Sequence, residues 1–80
     1  MIKLVPTRRR KAQRAASMAA FESACQVFAH GGDRDAALLY STTRALNELR
    51  RLRPGYYGSM RQIRAARVIA GDAVNRAEND

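Results

Sequence analysis

Apolar residues recur along this chain at intervals of three and four positions, and no useful length alternates with a period of two. Spacings of three and four place side chains on one face of an α-helix, whereas alternation would indicate a strand. The pattern therefore predicts an all-α protein, a small three-helix domain that occupies residues 1–80 as a single unit. Residues 1–5 are apolar apart from Lys3 and are followed by Pro6, so we expect a short extended N-terminal lead-in.

The first predicted helix runs from about Arg8 to His30. Thr7 is its candidate N-cap, and the glycine pair 31–32 is its C-terminal stop. Its best apolar stripe consists of Met18, Phe21, Cys25 and Phe28. Extended backwards, that stripe meets the cations Arg10, Lys11 and Arg14, which a core would not accept. We therefore expect residues 1–14 to form a basic N-terminal arm, and the front of this helix to project or fray.

The second predicted helix runs from about Arg34 to Arg53 after Asp33 as N-cap, and it ends at the Pro-Gly pair 54–55. Its predicted core face contains Leu38, Leu39, Thr42, Ala45, Leu46, Leu49 and Leu52. The third helix starts near Ser59, which forms a capping-box pattern with Gln62, and continues to about Ala77. Its predicted core face is mostly alanine and contains Ile63, Ala66, Ala70, Ala73, Val74 and Ala77.

The predicted core is small. Fifteen of the apolar residues are alanines, which bury little area each, and a chain of this length buries only about 60 to 65% of the surface it exposes when unfolded. Small domains often complete a core by association. A homodimer is therefore one expected state of this protein.

Positive charge narrows the class of partner. The chain has 15 Lys and Arg against 7 Asp and Glu, for a net charge of +8, and Lys3 and Lys11 are its only lysines. The field of such an excess favours a nucleic acid, an acidic protein surface or a membrane face. Arginine forks bind phosphates and carboxylates through paired hydrogen bonds. A GC-rich genome, whose codons favour arginine and alanine, would produce the same bias without any function.

Two clusters of cations are the predicted nucleic-acid-binding residues. The first opens the first helix and consists of Arg8, Arg9, Arg10, Lys11 and Arg14. Cations in a first turn oppose the helix dipole, so a bound row of phosphates or carboxylates would relieve a penalty there. The alternative is a solvated charged end that serves solubility.

The second cluster flanks the connection between the second and third helices. It consists of Arg50, Arg51 and Arg53 before the connection and Arg61, Arg64 and Arg67 after it. If these helices pack antiparallel, the arginines form a positive rim around Tyr56 and Tyr57, whose rings would stack on bases. The same tyrosines would alternatively just cover the helix ends. A helix-turn-helix is disfavoured because the connection 54–58 is too long for one.

Catalysis lacks the residues it would need. Cys25 and His30 are the only thiol and imidazole, and five helical steps place them about 140° apart. We expect Cys25 to be a buried structural thiol and His30 to complement the C-terminus of the first helix. One Cys, one His and dispersed carboxylates make no zinc site, and the glycines match no phosphate loop. The prediction is a protein that is not an enzyme, with no metal and no cofactor.

The single cysteine also excludes a disulfide within the chain, which fits a reducing compartment, and we expect a cytoplasmic protein. No stretch approaches the roughly 20 apolar residues of a membrane span. Binding to a membrane surface is disfavoured, because the arginines and phenylalanines of the first helix occupy successive lengths and not opposite faces.

Two functions stay open at this point. The first is a nucleic-acid-binding accessory or regulatory protein, with DNA as the expected ligand, that contacts phosphates without reading sequence. The second is a non-enzymatic adaptor or inhibitor that docks on an acidic partner protein through exposed apolar anchors ringed by arginine, and a mobile element is one expected source of such a protein. The candidate anchors are Met18, Phe21, Phe28 and the tyrosines.

Overall fold

The computed structural model describes residues 8–53 and 60–79. It contains three helices, α1 (Arg8–Ala29), α2 (Arg34–Leu52) and α3 (Met60–Glu78), and no strand within the described residues. The all-α three-helix fold is confirmed, and each described helix boundary lies within about one residue of the predicted one. The extended lead-in, the N-cap Thr7 and the capping residue Ser59 fall outside the described residues.

The turn between α1 and α2 follows from its two glycines. Gly31 has φ of 80°, and its N–H donates to the carbonyl of Phe28 (3.1 Å), while the Gly32 N–H donates to that of Val27 (2.8 Å). This bonding pattern is a Schellman motif, which satisfies the last carbonyls of a helix. His30 adds a third contact, because its Nδ1 donates to the carbonyl of Gln26 at 2.8 Å. The predicted role of His30 at the helix C-terminus is therefore confirmed.

The start of α2 is capped as the sequence indicates. The backbone of Asp33 is extended (φ −89°, ψ 178°), and its carboxylate accepts a hydrogen bond from the N–H of Ala36 at 2.8 Å. Asp35 adds a second negative charge in the first turn. Both acids complement the positive end of the helix dipole.

The core is built from residues that recur every fourth position, and most of them are alanine or serine. They are Ala12, Ala16, Ala20 and Ala24 on α1, Ala37, Ser41, Ala45 and Leu49 on α2, and Gln62, Ala66, Ala70 and Val74 on α3. Rows of this spacing are the ridges through which helices most often pack. The Ser41 hydroxyl donates across to the backbone carbonyl of Ala20 at 2.9 Å. Such a contact requires α1 and α2 to approach closely, which alanine permits.

The predicted core face of α1 is wrong. Met18 is 67% exposed, and Phe21, Cys25 and Phe28 are only half-buried, so Cys25 is not the buried thiol we expected. Phe21 and Phe28 pack against the edges of the core and not inside it. The predicted stripe contains the largest apolar side chains of α1. The face that meets α2 and α3 instead contains alanines, because small side chains let the helix backbones approach closely.

The front of α1 is also docked, contrary to the expectation that it projects or frays. Ala12 and Ala16 are fully buried, so the described part of the basic segment packs on the bundle from its first turns onward. Arg10, Lys11 and Arg14 are exposed on the same turns. One helix turn carries both because the alanines face inward while these cations lie on the outer side.

On α2 and α3 the predicted faces are partly correct. Ala45 and Leu49 are buried, but Leu39 is 72% exposed and the smaller residues Ala37 and Ser41 line the core. The remaining predicted residues of α2 are half-buried: Leu38, Thr42, Leu46 and Leu52. On α3 the buried predictions are confirmed for Ala66, Ala70, Ala73 and Val74, whereas Ile63 and Ala77 are half-buried.

The helices run up, down and up. Ala24, Ala37 and Val74 form one buried cluster, which places the end of α1, the start of α2 and the end of α3 together. At this end Arg34 of α2 contacts α3 through an ion pair with Glu78 and a 2.7 Å hydrogen bond that it donates to the Asn75 side chain. The start of α1, the end of α2 and the start of α3 consequently meet at the opposite end of the bundle.

Candidate nucleic-acid interface

The end of the bundle where α1 starts, α2 ends and α3 starts concentrates the positive charge, and we call it the basic end. Residues 8–14 contain five cations and residues 50–67 contain six, which together are eleven of the fifteen in the chain. None of the seven acidic residues lies in either segment. The cations of these two segments are Arg8, Arg9, Arg10, Lys11, Arg14, Arg50, Arg51, Arg53, Arg61, Arg64 and Arg67.

Two helix dipoles add to this charge, whereas the C-terminus of α2 at the same end opposes it. The N-termini of α1 and α3 lie at the basic end, and neither helix has an acidic residue in its first turn. By contrast α2, which starts at the other end, is preceded by Asp33 and carries Asp35. A positive dipole end beside unbalanced cations is unfavourable, by about 0.3 to 1 kcal/mol per exposed charge. The basic end is therefore a place where an anion would stabilise the fold.

Two exposed rows of cations extend from the basic end. On α1, Lys11 and Arg14 are three residues apart, and Arg10 lies one turn before Arg14. On α3, the exposed residues Arg61, Arg64 and Arg67 follow one another at three-residue intervals. Residues at these spacings are neighbours on a helix surface. Each row can thus present several guanidinium or ammonium groups to one anionic surface.

Six of these cations have no acidic partner within the described part of the chain. Ion pairs there include that of Arg34 with Glu78, that of Arg51 with Glu48 at 2.7 Å, and that of Arg76 with Asp72 at 3.4 Å. Exposed cations without a partner of any kind among the described residues are Arg9, Lys11, Arg14, Arg61, Arg64 and Arg67. Arg51 donates through both Nε and Nη2 to Glu48, so it is the weaker candidate for a phosphate contact.

A cleft of about 300 Å³ lies between the three helices at the basic end. Its walls are Arg9 and Gln13 of α1, Leu49 of α2 with the adjoining Arg53, and Arg61, Gln62 and Ala65 of α3. The backbone N–H of Arg53 donates a hydrogen bond to the carbonyl of Leu49 at 2.9 Å. The Gln62 side chain donates from Nε2 to the carbonyl of Arg53 at 3.4 Å. These two bonds hold the backbone of Arg53 at the edge of the cleft.

The cleft contains two residues that sequence reasoning missed. Gln13 is a neutral residue within a basic run, and the sequence pattern at Gln62 indicates only a capping box. The available signal was that both glutamines stand beside arginines at predicted helix starts. The antiparallel packing of α2 and α3 brings Arg53 and Arg61 into one wall, as the rim hypothesis requires. Tyr56 and Tyr57 lie outside the described residues, so base stacking stays a prediction.

Two further features of the described residues concern metal ions and membranes. Within them, no group of three or more His, Cys, Asp and Glu side chains is placed to hold a metal ion. None of α1, α2 and α3 is both long and apolar enough to cross a membrane. Comparison of the chain with models of known protein families, with curated proteins and with solved structures gives no match.

Proposed function

We propose that this protein binds nucleic acid, with DNA as the first candidate, through the basic end, and acts as an accessory or regulatory protein without catalytic activity of its own. The observation that carries the proposal is the coincidence of two helix N-termini with eleven cations and no acidic residue in the same segments. In the first turns of α1 and α3, acids would make an isolated fold more stable than these cations do. A polyanionic ligand would neutralise these cations and stabilise the two helix N-termini.

The expected mode of contact is to phosphates. The exposed rows on α1 and α3 place arginines at intervals along a surface, and arginine binds phosphate through two parallel hydrogen bonds. Contacts of this kind fix position and orientation on a strand but carry no sequence information. The proposed ligand is therefore nucleic acid of any sequence.

Co-purification tests the proposal directly. The full chain is purified without nuclease, and the ratio of absorbance at 260 to 280 nm is recorded before and after a high-salt wash. Nucleic acid that accompanies the protein and leaves with salt supports the proposal, because the release of counterions makes such binding strongly salt-dependent. Purified protein that shows no binding to a labelled duplex at low salt would overturn it.

A second candidate is an adaptor or inhibitor that docks on an acidic protein, and α3 favours it. Met60 (59% exposed) and Val68 (72% exposed) alternate with arginines along the exposed side of this helix. Interface centres are enriched in methionine and arginine, and rims are polar. Replacement of Val68 by serine separates the two candidates: it should weaken protein docking markedly, whereas Arg64→Gln should have the larger effect on nucleic-acid binding.

A further inference from the structure

We propose that the cleft at the basic end is a site for a phosphomonoester dianion, carried either by a free nucleotide or by the terminal phosphate of a strand. This inference deepens the proposed function, because it rests on the assignment of the basic end to phosphate ligands. It adds a discrete, concave site to what is otherwise an open charged surface.

The first argument is the convergence of charge. Arg9, Arg53 and Arg61 come from three different parts of the chain and line one cavity. Arg9 and Arg61 have no partner among the described residues, and a guanidinium offers several N–H donors in a fixed plane. A phosphomonoester carries about −1.5 to −2 charges at neutral pH and three acceptor oxygens. Its charge and its acceptors therefore match a site lined by three arginines better than a singly charged diester does.

The second argument is shape. A volume of about 300 Å³ is at the lower limit of the range for small-molecule sites, which is large enough for a phosphate with part of its sugar. A diester in a strand continues on both sides and approaches a surface along its length. A terminal phosphate has one free side and can enter a cleft end-on. The concave geometry consequently favours a terminal or free phosphate.

The third argument is the rest of the lining. Gln13 supplies an amide that can donate to or accept from a sugar hydroxyl, and Leu49 and Ala65 provide apolar wall. The backbone of Arg53 is held by its bonds with Leu49 and Gln62, so one wall of the site is ordered before a ligand arrives. Less ordering on binding means a smaller entropic cost.

The test compares matched ligands on the full chain. A single-stranded oligonucleotide is prepared with a 5′-phosphate and with a 5′-hydroxyl, and a nucleoside 5′-monophosphate, its nucleoside and inorganic phosphate are measured beside them. We expect about tenfold tighter binding of the phosphorylated oligonucleotide, the effect of one additional charge-assisted contact. The monophosphate should raise the melting temperature, whereas the nucleoside should not. A monophosphate that binds no better than inorganic phosphate would support the cleft as a phosphate site and contradict a contact of Gln13 with the sugar.

Three variants locate the effect. Arg61→Gln should abolish the preference for the phosphorylated oligonucleotide, whereas Arg64→Gln should weaken both oligonucleotides equally and keep the preference. Arg44→Gln removes the same charge from the middle of α2, and it should change neither the affinity for the oligonucleotides nor the preference for the 5′-phosphate. Circular dichroism checks that each variant is folded.

The outcomes separate this inference from the proposed function. If both oligonucleotides bind equally and the monophosphate has no effect, the cleft is not a phosphate site while nucleic-acid binding stands. If neither oligonucleotide binds but the monophosphate does, the cleft is confirmed and the proposed function fails. If nothing binds, both are wrong.

Discussion

Replacement of Arg64 and Arg67 by glutamine should reduce the salt dependence of nucleic-acid binding by a calculable amount. Both side chains are exposed on α3 and have no partner among the described residues. Their three-residue spacing corresponds to about 4.5 Å along the helix axis. One strand of duplex DNA carries a charge about every 3.4 Å of its axis, so the two arginines can contact neighbouring phosphates of one strand.

The magnitude follows from the release of counterions. Each phosphate contact on duplex DNA contributes about −0.9 to the slope of log K against log salt, so five contacts predict a slope near −4.5. Loss of two contacts should reduce the slope by about 1.8. At about 0.1 M salt this change in slope predicts that the double variant binds roughly 60-fold more weakly than the unaltered protein. Near 1 M salt the two proteins should bind almost equally.

Fluorescence anisotropy with a labelled duplex, titrated at several salt concentrations, measures both quantities. Arg44→Gln is the matched control, because it removes one arginine charge from α2 outside the basic end. An unchanged slope in the double variant would refute the reasoning. The reasoning would also be refuted if Arg44→Gln by itself reduced the slope of log K against log salt by about 0.9, because net charge and not position would then explain the binding.

Three further predictions concern the fold. Lys11→Gln should raise the free energy of unfolding by about 0.3 to 1 kcal/mol in thermal denaturation and yet weaken nucleic-acid binding, because the cation opposes the dipole of α1; a loss of stability would contradict this. Val74→Ala should cost about 2 to 3 kcal/mol in urea denaturation, since two fully buried methyl groups are removed and a cavity is left. Gly31→Ala should lower the free energy of unfolding by about 1 to 2 kcal/mol, because an alanine at a φ of 80° is strained. Gly71→Ala should raise it by about 0.5 to 1 kcal/mol, because Gly71 lies in the interior of α3 with open space around it. Equal effects of the two substitutions in calorimetry would show that backbone conformation does not decide the sign.

Local signals were enough to predict the helices. Asp33 caps α2 and the Gly31–Gly32 pair closes α1 because these residues act through their own backbone and its nearest turns. The predicted face of α3 was also largely correct, since its alanines and Val74 lie in one sector that contains few larger apolar groups to compete with them.

The core face of α1 required the partner helices. Met18 and Phe21 offer more apolar area than Ala16 and Ala20, so a pattern weighted by area selects the wrong side. The alanines are buried because α2 and α3 approach them closely, as the bond from Ser41 to the Ala20 carbonyl records. How near two helices come is a property of both surfaces together, and a periodicity within one helix does not contain it.

The sequence by itself determined three helices, their ends and an excess of cations in two segments. Only the tertiary structure decided that those segments meet, because the up-down-up order places the start of α1, the end of α2 and the start of α3 at one end. The cleft lined by Arg9, Arg53 and Arg61 follows from that meeting. Residues so far apart in sequence become neighbours through the packing of whole helices, which local spacing does not encode.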